Sequence, residues 1–528
     1  MKRLNGKIAI LTMAILITGL IAVSSLGAGH DARYGGVLRI AVIGEVATLD
    51  SMTTSLSPVQ EFSKHVFETP FTYGEDDSPT PLLVKDYTFE ENNTILRMNL
   101  REGVLFHNGE EMISEDFVAS VKRWLKVSTY GKQVDNHLEK LSAPDKYSVE
   151  MHLDSPYSPI LSYLATPMYA CNILPKDIAE KYGAEPLSKE DYIGTGPYKF
   201  EKWVSGQYIE VVRFEDYVSP EGPPDGLAGK RVPYLDVIRL IPVPEMGTRI
   251  SGLGAGEFDF LTRITPDHWA RIERMDNAKP FTFKEPGYNL LFCNLEKGLL
   301  AGKPKIRKAI QAALNTEPIL TSAYQSEDFF NATGNFYPEG STYYTKAGTE
   351  NYDQNNIEKA KRLLEEAGYD GTKLRYLTTA EYNPHYDQAI IIRSQLQQAG
   401  FNVELQVHDW ATVGERRANP ELWDVFFTRF SIEPEPLSYA FLSPDYPGWW
   451  DTEEKRAIVD ELRKTIEPEK RGELWADLQA LIYEQIPYNL IGKHLYPAAV
   501  TTKLEAEKPE ERWGTGDWNF WNTWFKEE

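Results

Sequence analysis

The sequence predicts an α/β protein of more than one domain. Three observations carry that expectation. Residues 95–125 read as a strand, a tight turn and an amphipathic helix. Residues 374–407 read as strand, helix and strand, the βαβ unit of a parallel sheet. The length, 528 residues, exceeds what one ordinary core accommodates, so two or three domains are needed.

Taken in order, the chain begins with Lys2, Arg3 and Lys7, an apolar run from Ile8 to Val23, and the small residues Ser24, Ser25, Gly27 and Ala28. That pattern reads as a secretory signal cut near Ala28. The alternative is a retained anchor, because Ile8 to Leu26 nearly spans a bilayer. No cysteine lies there to carry a lipid. Gly35 to Val42 reads as the first strand of the mature protein, with Leu49-Asp50 shortly after it. Within residues 95–125, Leu96, Met98 and Leu100 alternate with Arg97, Asn99 and Arg101, which gives one buried face. Val104, Leu105 and Phe106 are expected as a second strand, and Asn108-Gly109 suits the positive φ of a hairpin turn. Ser114 is placed to cap the helix that follows, with Glu115 and Asp116 in its first turn, where the dipole favours anions. Phe117, Val118, Val121, Trp124 and Leu125 share one side of it.

Further along, Tyr198 to Phe200 and Ile209 to Val212 suggest two strands joined at Ser205-Gly206. Near Tyr288 comes another strand, then an amphipathic helix from Lys305 to Asn315 and a helix from Asn356 stopped by Gly368. The βαβ unit runs through Leu374–Leu377, Tyr386–Ala399 and Val403–Val407. A helix from Glu473 to Gln485 precedes Ile486-Pro487-Tyr488, and the tail carries Trp513, Trp518, Trp521 and Trp524.

Composition excludes several classes. A formal net charge of −22 repels nucleic acid and anionic membrane surfaces, so neither is expected as a partner. Cys171 and Cys293 are too far apart in sequence for metal-ligand spacing and read as reduced, buried thiols, with a disulfide as the alternative. Nine histidines lie scattered without ligand spacing, and His107 reads as a turn residue. No zinc-binding H-E-x-x-H, P-loop or G-x-S-x-G elbow is present, so no catalytic residue, metal or cofactor is assigned. Gly194-Thr195-Gly196-Pro197 makes a poor phosphate loop, because Pro197 lacks the N–H such a loop needs. Most of the aromatic residues are assigned to packing, leaving a minority to stack on a ligand.

The stretch LREGVLFHNGEEMISEDFVASVKRW, residues 100–124, resembles the signature of family 5 extracellular solute-binding proteins, the dipeptide- and oligopeptide-binding components of ABC importers. Gly35–Ala41 with Leu49-Asp50, Gly194–Tyr198, Gly254–Asp259, Lys305–Asn315 and the helix ended by Gly368 resemble further segments of that family, so the likeness covers about residues 35 to 525. Departures are Asn108, Phe117 and Ile113, the last standing where the family has Ser or Thr. The resemblance implies an α/β, two-lobed periplasmic-binding-protein fold with a central cleft and an extra small domain in the first lobe. It places the first lobe at 33–65, 191–288 and 489–528, the extra domain at 66–190 and the second lobe at 289–488. Crossings between lobes are expected near Tyr288 and Tyr488.

The same resemblance implies a periplasmic or extracellular monomer that captures a small solute, first of all a peptide or peptide-like compound, for ABC permease subunits in the membrane. It would be no enzyme. An oligosaccharide is the alternative ligand, since relatives also take oligosaccharides, opines and metal chelates; a secreted hydrolase working in the cleft is the alternative of another class. The ligand-binding candidates are Arg429, Glu433, Tyr288, Asn289 and Trp410. Residues 423–441 resemble the family segment leading into the cleft, with Glu435-Pro436 as its acid-proline pair. Thr428-Arg429 replaces the Gly-Trp of many peptide binders. An arginine there suits a carboxylate or phosphate, and Glu433 suits an ammonium group, so a zwitterionic or acidic peptide-like ligand is expected. The alternative is that Arg429 pairs only with Glu433 or Glu435. For the leader, N-terminal sequencing of the exported protein should find a start between Gly27 and Tyr34; an intact Met1 in the membrane fraction would mean an anchor instead.

Overall fold

Two large sheets organise the chain in the computed structural model, which describes residues 33–283, 287–509 and 518–527. The expected signal segment, residues 1–30, and Trp513 lie outside the described residues. Among the described residues no helix is long and apolar enough to cross a membrane.

The first sheet has seven strands. At its centre Val37–Val42 pairs in parallel with Val237–Pro242 and Phe260–Leu261. Antiparallel strands extend it on both sides, among them the predicted pair Tyr198–Val204 and Tyr208–Arg213, turning at Gly206. The second sheet has six strands, in the order Phe330–Asn331, Tyr488–His494, Gly287–Cys293, Val425–Ser431, Leu374–Thr379, Val403–His408. Two of its inner strands, Gly287–Cys293 and Tyr488–His494, are buried along their whole length, as a strand covered on both faces requires. The predicted βαβ unit is present, with Asn383–Gln398 as the crossover helix between two parallel strands. At Gly492 the backbone takes φ +143°, and a Cβ would meet Leu320 and the Asn331 carbonyl at 2.7 and 2.8 Å. A register shift in the ladder between Asn289 and Leu290 accompanies it.

The chain therefore changes sheet between Thr282 and Gly287, and again between His494 and Pro497. The return comes after the strand that begins at Tyr488, not before it. Apolar strands on both sides of that point look alike in sequence, so only the pairing partner separates them.

A third, four-stranded antiparallel sheet lies within residues 84–153, ordered Val84–Glu90, Ile95–Leu100, Ser148–Leu153, Leu138–Asp145. The helix Ser114–Val127 covers it with Phe117, Val121, Trp124 and Leu125, all buried. Two local expectations are corrected here. Val104 and Phe106 are buried, yet only a Leu105–Glu111 bridge forms, so their burial comes from packing rather than from a strand ladder. The helix cap is Ile113, whose amide donates to the Asp116 carboxylate at 2.9 Å; the Ser114 hydroxyl instead donates to the Asp145 carbonyl at 2.5 Å, tying the helix start to the sheet. Cys171 and Cys293 are free and buried.

Two of the signature positions meet partners from other signature segments. Arg123 forms a buried ion pair with Asp50, Nη2 to Oδ2 at 2.6 Å, joining the helix to the chain after the first strand. His107 sits between two glycines: its Nε2 faces the Gly196 carbonyl at 3.0 Å, and the Gly194 amide donates to its Nδ1 at 3.3 Å. Both glycines are needed for contact, because a Cβ at either would lie 2.2–2.5 Å from a backbone oxygen of Val66 or His65. Burial holds the His107 imidazole down to about pKa 4, against an unfolded value near 6.5. Between those two pH values the unfolded chain binds a proton that the folded one refuses, so stability falls as the pH falls. In denaturant titrations across that window, wild type should lose stability more steeply than His107→Gln, by up to about 1.4 kcal/mol per pH unit; equal slopes would remove His107 from this role.

Candidate functional site

All five candidate residues lie at one end of the six-stranded sheet. Strands Leu374–Thr379, Val403–His408 and Val425–Ser431 are mutually parallel, so their carboxyl ends face the same way. Antiparallel pairing brings the start of Gly287–Cys293 and the end of Tyr488–His494 to that end as well. Open α/β sheets bind ligands outside such carboxyl ends.

A cavity of about 880 Å³ opens there. One wall comes from Tyr130 and Gln133 on the short helix Thr129–Asp135, Tyr163 on Ile160–Ala165, and Tyr157 and Tyr169 beside them. Tyr130 and Tyr163 stack at 4.5 Å, and burial pushes both phenols well above their usual pKa. The opposite wall is the strand end at Arg429, Phe430 and Ser431, the loop through Glu433 and Tyr439, and the helix Glu453–Lys464, which contributes Lys455, Arg456, Asp460 and Arg463.

Of the candidates, Arg429 and Glu433 line this cavity. Tyr288 and Asn289 do not. The Tyr288 hydroxyl donates to the Phe336 carbonyl at 2.7 Å and sits 2.9 Å from the Tyr439 hydroxyl. The Asn289 amide donates to the Gly492 carbonyl at 3.2 Å, and its oxygen accepts from Tyr324 at 2.7 Å and Gln388 at 3.2 Å. Both side chains are fully buried and brace the strands behind the wall. Trp410 opens the helix after Val403–His408, packing on Tyr382 and His385 at 5.4 Å each, outside the cavity lining.

Arg429 faces Asn289 across the ladder. Among the described residues it has no acidic partner within 4.0 Å, and its buried Nε has no hydrogen-bond partner. Its charge acts on its neighbours. Burial, then Arg429, holds His385 down to about pKa 3 and His494 well below its usual value. Burial raises the Tyr324 phenol to about 12 against the opposing pull of Arg429. The guanidinium thus stands amid neutral groups.

Glu435, the other acid weighed as a partner for Arg429, is taken by Arg471. Arg471 Nη2 donates to both Glu435 carboxylate oxygens at 2.7 Å, and both side chains are nearly fully buried. Its Nε donates to the Tyr343 hydroxyl at 2.8 Å, and Nη1 to the carbonyls of Leu462 and Thr465 and to the Ser158 hydroxyl. Ser158 and Ser162 belong to the tyrosine wall. The Ser158 amide donates to the Arg463 carbonyl at 2.7 Å, and the Ser162 hydroxyl donates to Glu435 at 3.4 Å. This clasp fixes the loop after Arg429 against the opposite wall. Sequence reasoning missed the tyrosines, Lys455 and the clasp, since the cavity joins two stretches, around Tyr130–Tyr169 and Arg429–Arg463, that lie far apart in the chain.

Comparison with known proteins places the fold. Residues 78–451 match the family described as "Bacterial extracellular solute-binding proteins, family 5 Middle". The chain is 24% identical to the "Probable peptide ABC transporter periplasmic-binding protein" of Sinorhizobium fredii, over 87% of this chain and 89% of that one. Its fold superposes on the ABC transporter substrate-binding protein CtaP of Listeria monocytogenes with a TM-score of 0.81 at 21% identity, covering 94% of this chain and all of that one. The periplasmic binding protein DppA of Helicobacter pylori, solved with a peptide, gives 0.73 at 21% identity over 94% and 99%. Both likenesses are to the two-lobed fold.

Removing one partner of the buried clasp strands a charge in the interior. Arg471→Met and Glu435→Gln should each lower unfolding stability by about 3–5 kcal/mol, with the double variant losing less than the sum. Strictly additive losses in chemical denaturation would show the two groups to be uncoupled.

Proposed function

The chain belongs to the bacterial extracellular solute-binding proteins of family 5, and from that premise we propose that it captures a peptide or peptide-like solute in the cleft and hands it to an ABC permease. The observation that carries the reading is the cavity itself. At about 880 Å³ it lies within the usual range of small-molecule sites and accommodates a short peptide. Tyrosine faces line one side and an arginine with no acidic partner among the described residues lines the other. Members of the family bind solutes for transport, and this chain in our reading makes and breaks no covalent bond. Arg429 receives a carboxylate of the solute and Glu433 its ammonium group, while Tyr288, Asn289 and Trp410 support the wall from behind. In the same reading the extra domain is 66–190, and the second lobe runs from 289 to His494, slightly beyond the sequence-based boundary. The protein acts as a monomer outside the cytoplasm, released from the segment 1–30.

Closure of two lobes on a solute turns buried contact into affinity and changes the outline that a permease meets. A solute that binds should therefore shrink the radius of gyration in small-angle scattering and raise the melting temperature. Failure of both, with every peptide, opine and oligosaccharide tried, would count against solute capture. With a bound solute identified, Arg429→Ala should weaken binding by about ten- to a hundredfold in calorimetry, the worth of one charge-assisted hydrogen bond. Unchanged affinity in a folded variant would take Arg429 out of the site.

A further inference from the structure

Sorting the charges around the cavity by partner leaves a surplus. Arg456 pairs with Asp451 at 2.7 Å, and Arg463 pairs with Asp460 at 2.6 Å. Two cavity-lining cations have no acidic partner within 4.0 Å among the described residues: Arg429 and Lys455. Lys455 is the more demanding of the two, being only 2% exposed. Its ammonium donates to the Trp450 carbonyl at 2.8 Å and lies 5.4 Å from the centre of the Trp450 ring. A carbonyl and a ring face offer no full negative charge to a group with three donors.

The location makes the cation costlier. Lys455 sits in the first turn of Glu453–Lys464, where the helix already presents partial positive charge. Burial pulls its pKa down to about 8, with Asp451 raising it and Arg456 lowering it. For folding alone, an apolar side chain of similar volume would serve this position better. A buried cation kept in a cavity wall without a counter-ion is accounted for when the solute brings the anion.

We propose that Lys455 is a second anion-binding residue of the cleft and that, together with Arg429, it selects solutes bearing at least two acidic groups. This rests on the reading of the cavity as the solute site. A simple zwitterion carries one carboxylate and neutralises one of the two cations. A solute with two carboxylates and one ammonium group, such as a peptide ending in glutamate, meets Arg429, Lys455 and Glu433 together.

The test uses matched acid and amide probes that carry two carboxylates against one: Ala-Glu against Ala-Gln, and Ala-Ala-Glu against Ala-Ala-Gln. Affinities are measured by calorimetry on the full chain, with folding of each variant checked by its thermal transition. The acid member of at least one pair should bind about tenfold or more tightly than its amide, the scale of one charge-assisted contact. Lys455→Met should bring that ratio to within about threefold, and Lys455→Arg should restore it. Equal binding of acid and amide, or a preference that survives Lys455→Met, overturns the inference and leaves solute capture standing. Binding of none of the probes, acid or amide, overturns both the acidic selection and the peptide-like reading.

Discussion

The wall of the cleft depends on one buried ion pair, Arg471 with Glu435. An arginine and a glutamate taken out of water are tolerated only if the remaining donors and acceptors are used. Arg471 uses them on Tyr343, Leu462, Thr465 and Ser158, besides the carboxylate. Those partners come from four separate stretches of chain. Satisfying one side chain therefore fixes the loop after Val425–Ser431, the end of Glu453–Lys464 and the tyrosine wall relative to one another. Because Glu435 is committed to Arg471, it is not available to Arg429, and the cavity keeps a cation that a surface salt bridge would otherwise have quenched.

Similar pairs recur away from the cleft. Asp50 with Arg123, and Glu68 with Arg231, Tyr217 and Thr195, are buried charge-bearing networks linking distant segments. His107 joins the hairpin at Asn108-Gly109 to the glycines at 194 and 196. The residues that make this chain recognisable in sequence are largely these mutual partners. They build the scaffold, and in the proposed reading they leave solute choice to positions such as Arg429 and Lys455 that do not enter such pairs.

Charge is distributed unevenly between surface and cleft. The chain as a whole carries −22, which would discourage an acidic solute at long range. At physiological salt such a field decays over about 8 Å, whereas charges in a buried wall are screened far less. In the proposed reading, a solute in the cavity therefore meets the local guanidinium and ammonium groups more strongly than the distant surface acids. Aromatic faces opposite them supply apolar contact that does not depend on salt.

Much of the fold was legible in the sequence. The alternation at 96–101, the helix at 114–127, the βαβ unit at 374–408 and the stop at Gly368 follow from local periodicity and backbone preference, which act within a few residues. Arg429 was visible as well, because it breaks a family pattern. Caps and boundaries were less so: Ile113 rather than Ser114 heads the helix, since the Ser114 hydroxyl is drawn to Asp145 across the sheet, and the chain returns to the first sheet only after His494. Sequence also could not reveal the tyrosine wall, the Arg471 clasp or the counter-ion deficit at Lys455. Each depends on the whole set of neighbours a side chain meets, and whether a charge is paired or a hydroxyl buried is decided only when folding brings those neighbours to it.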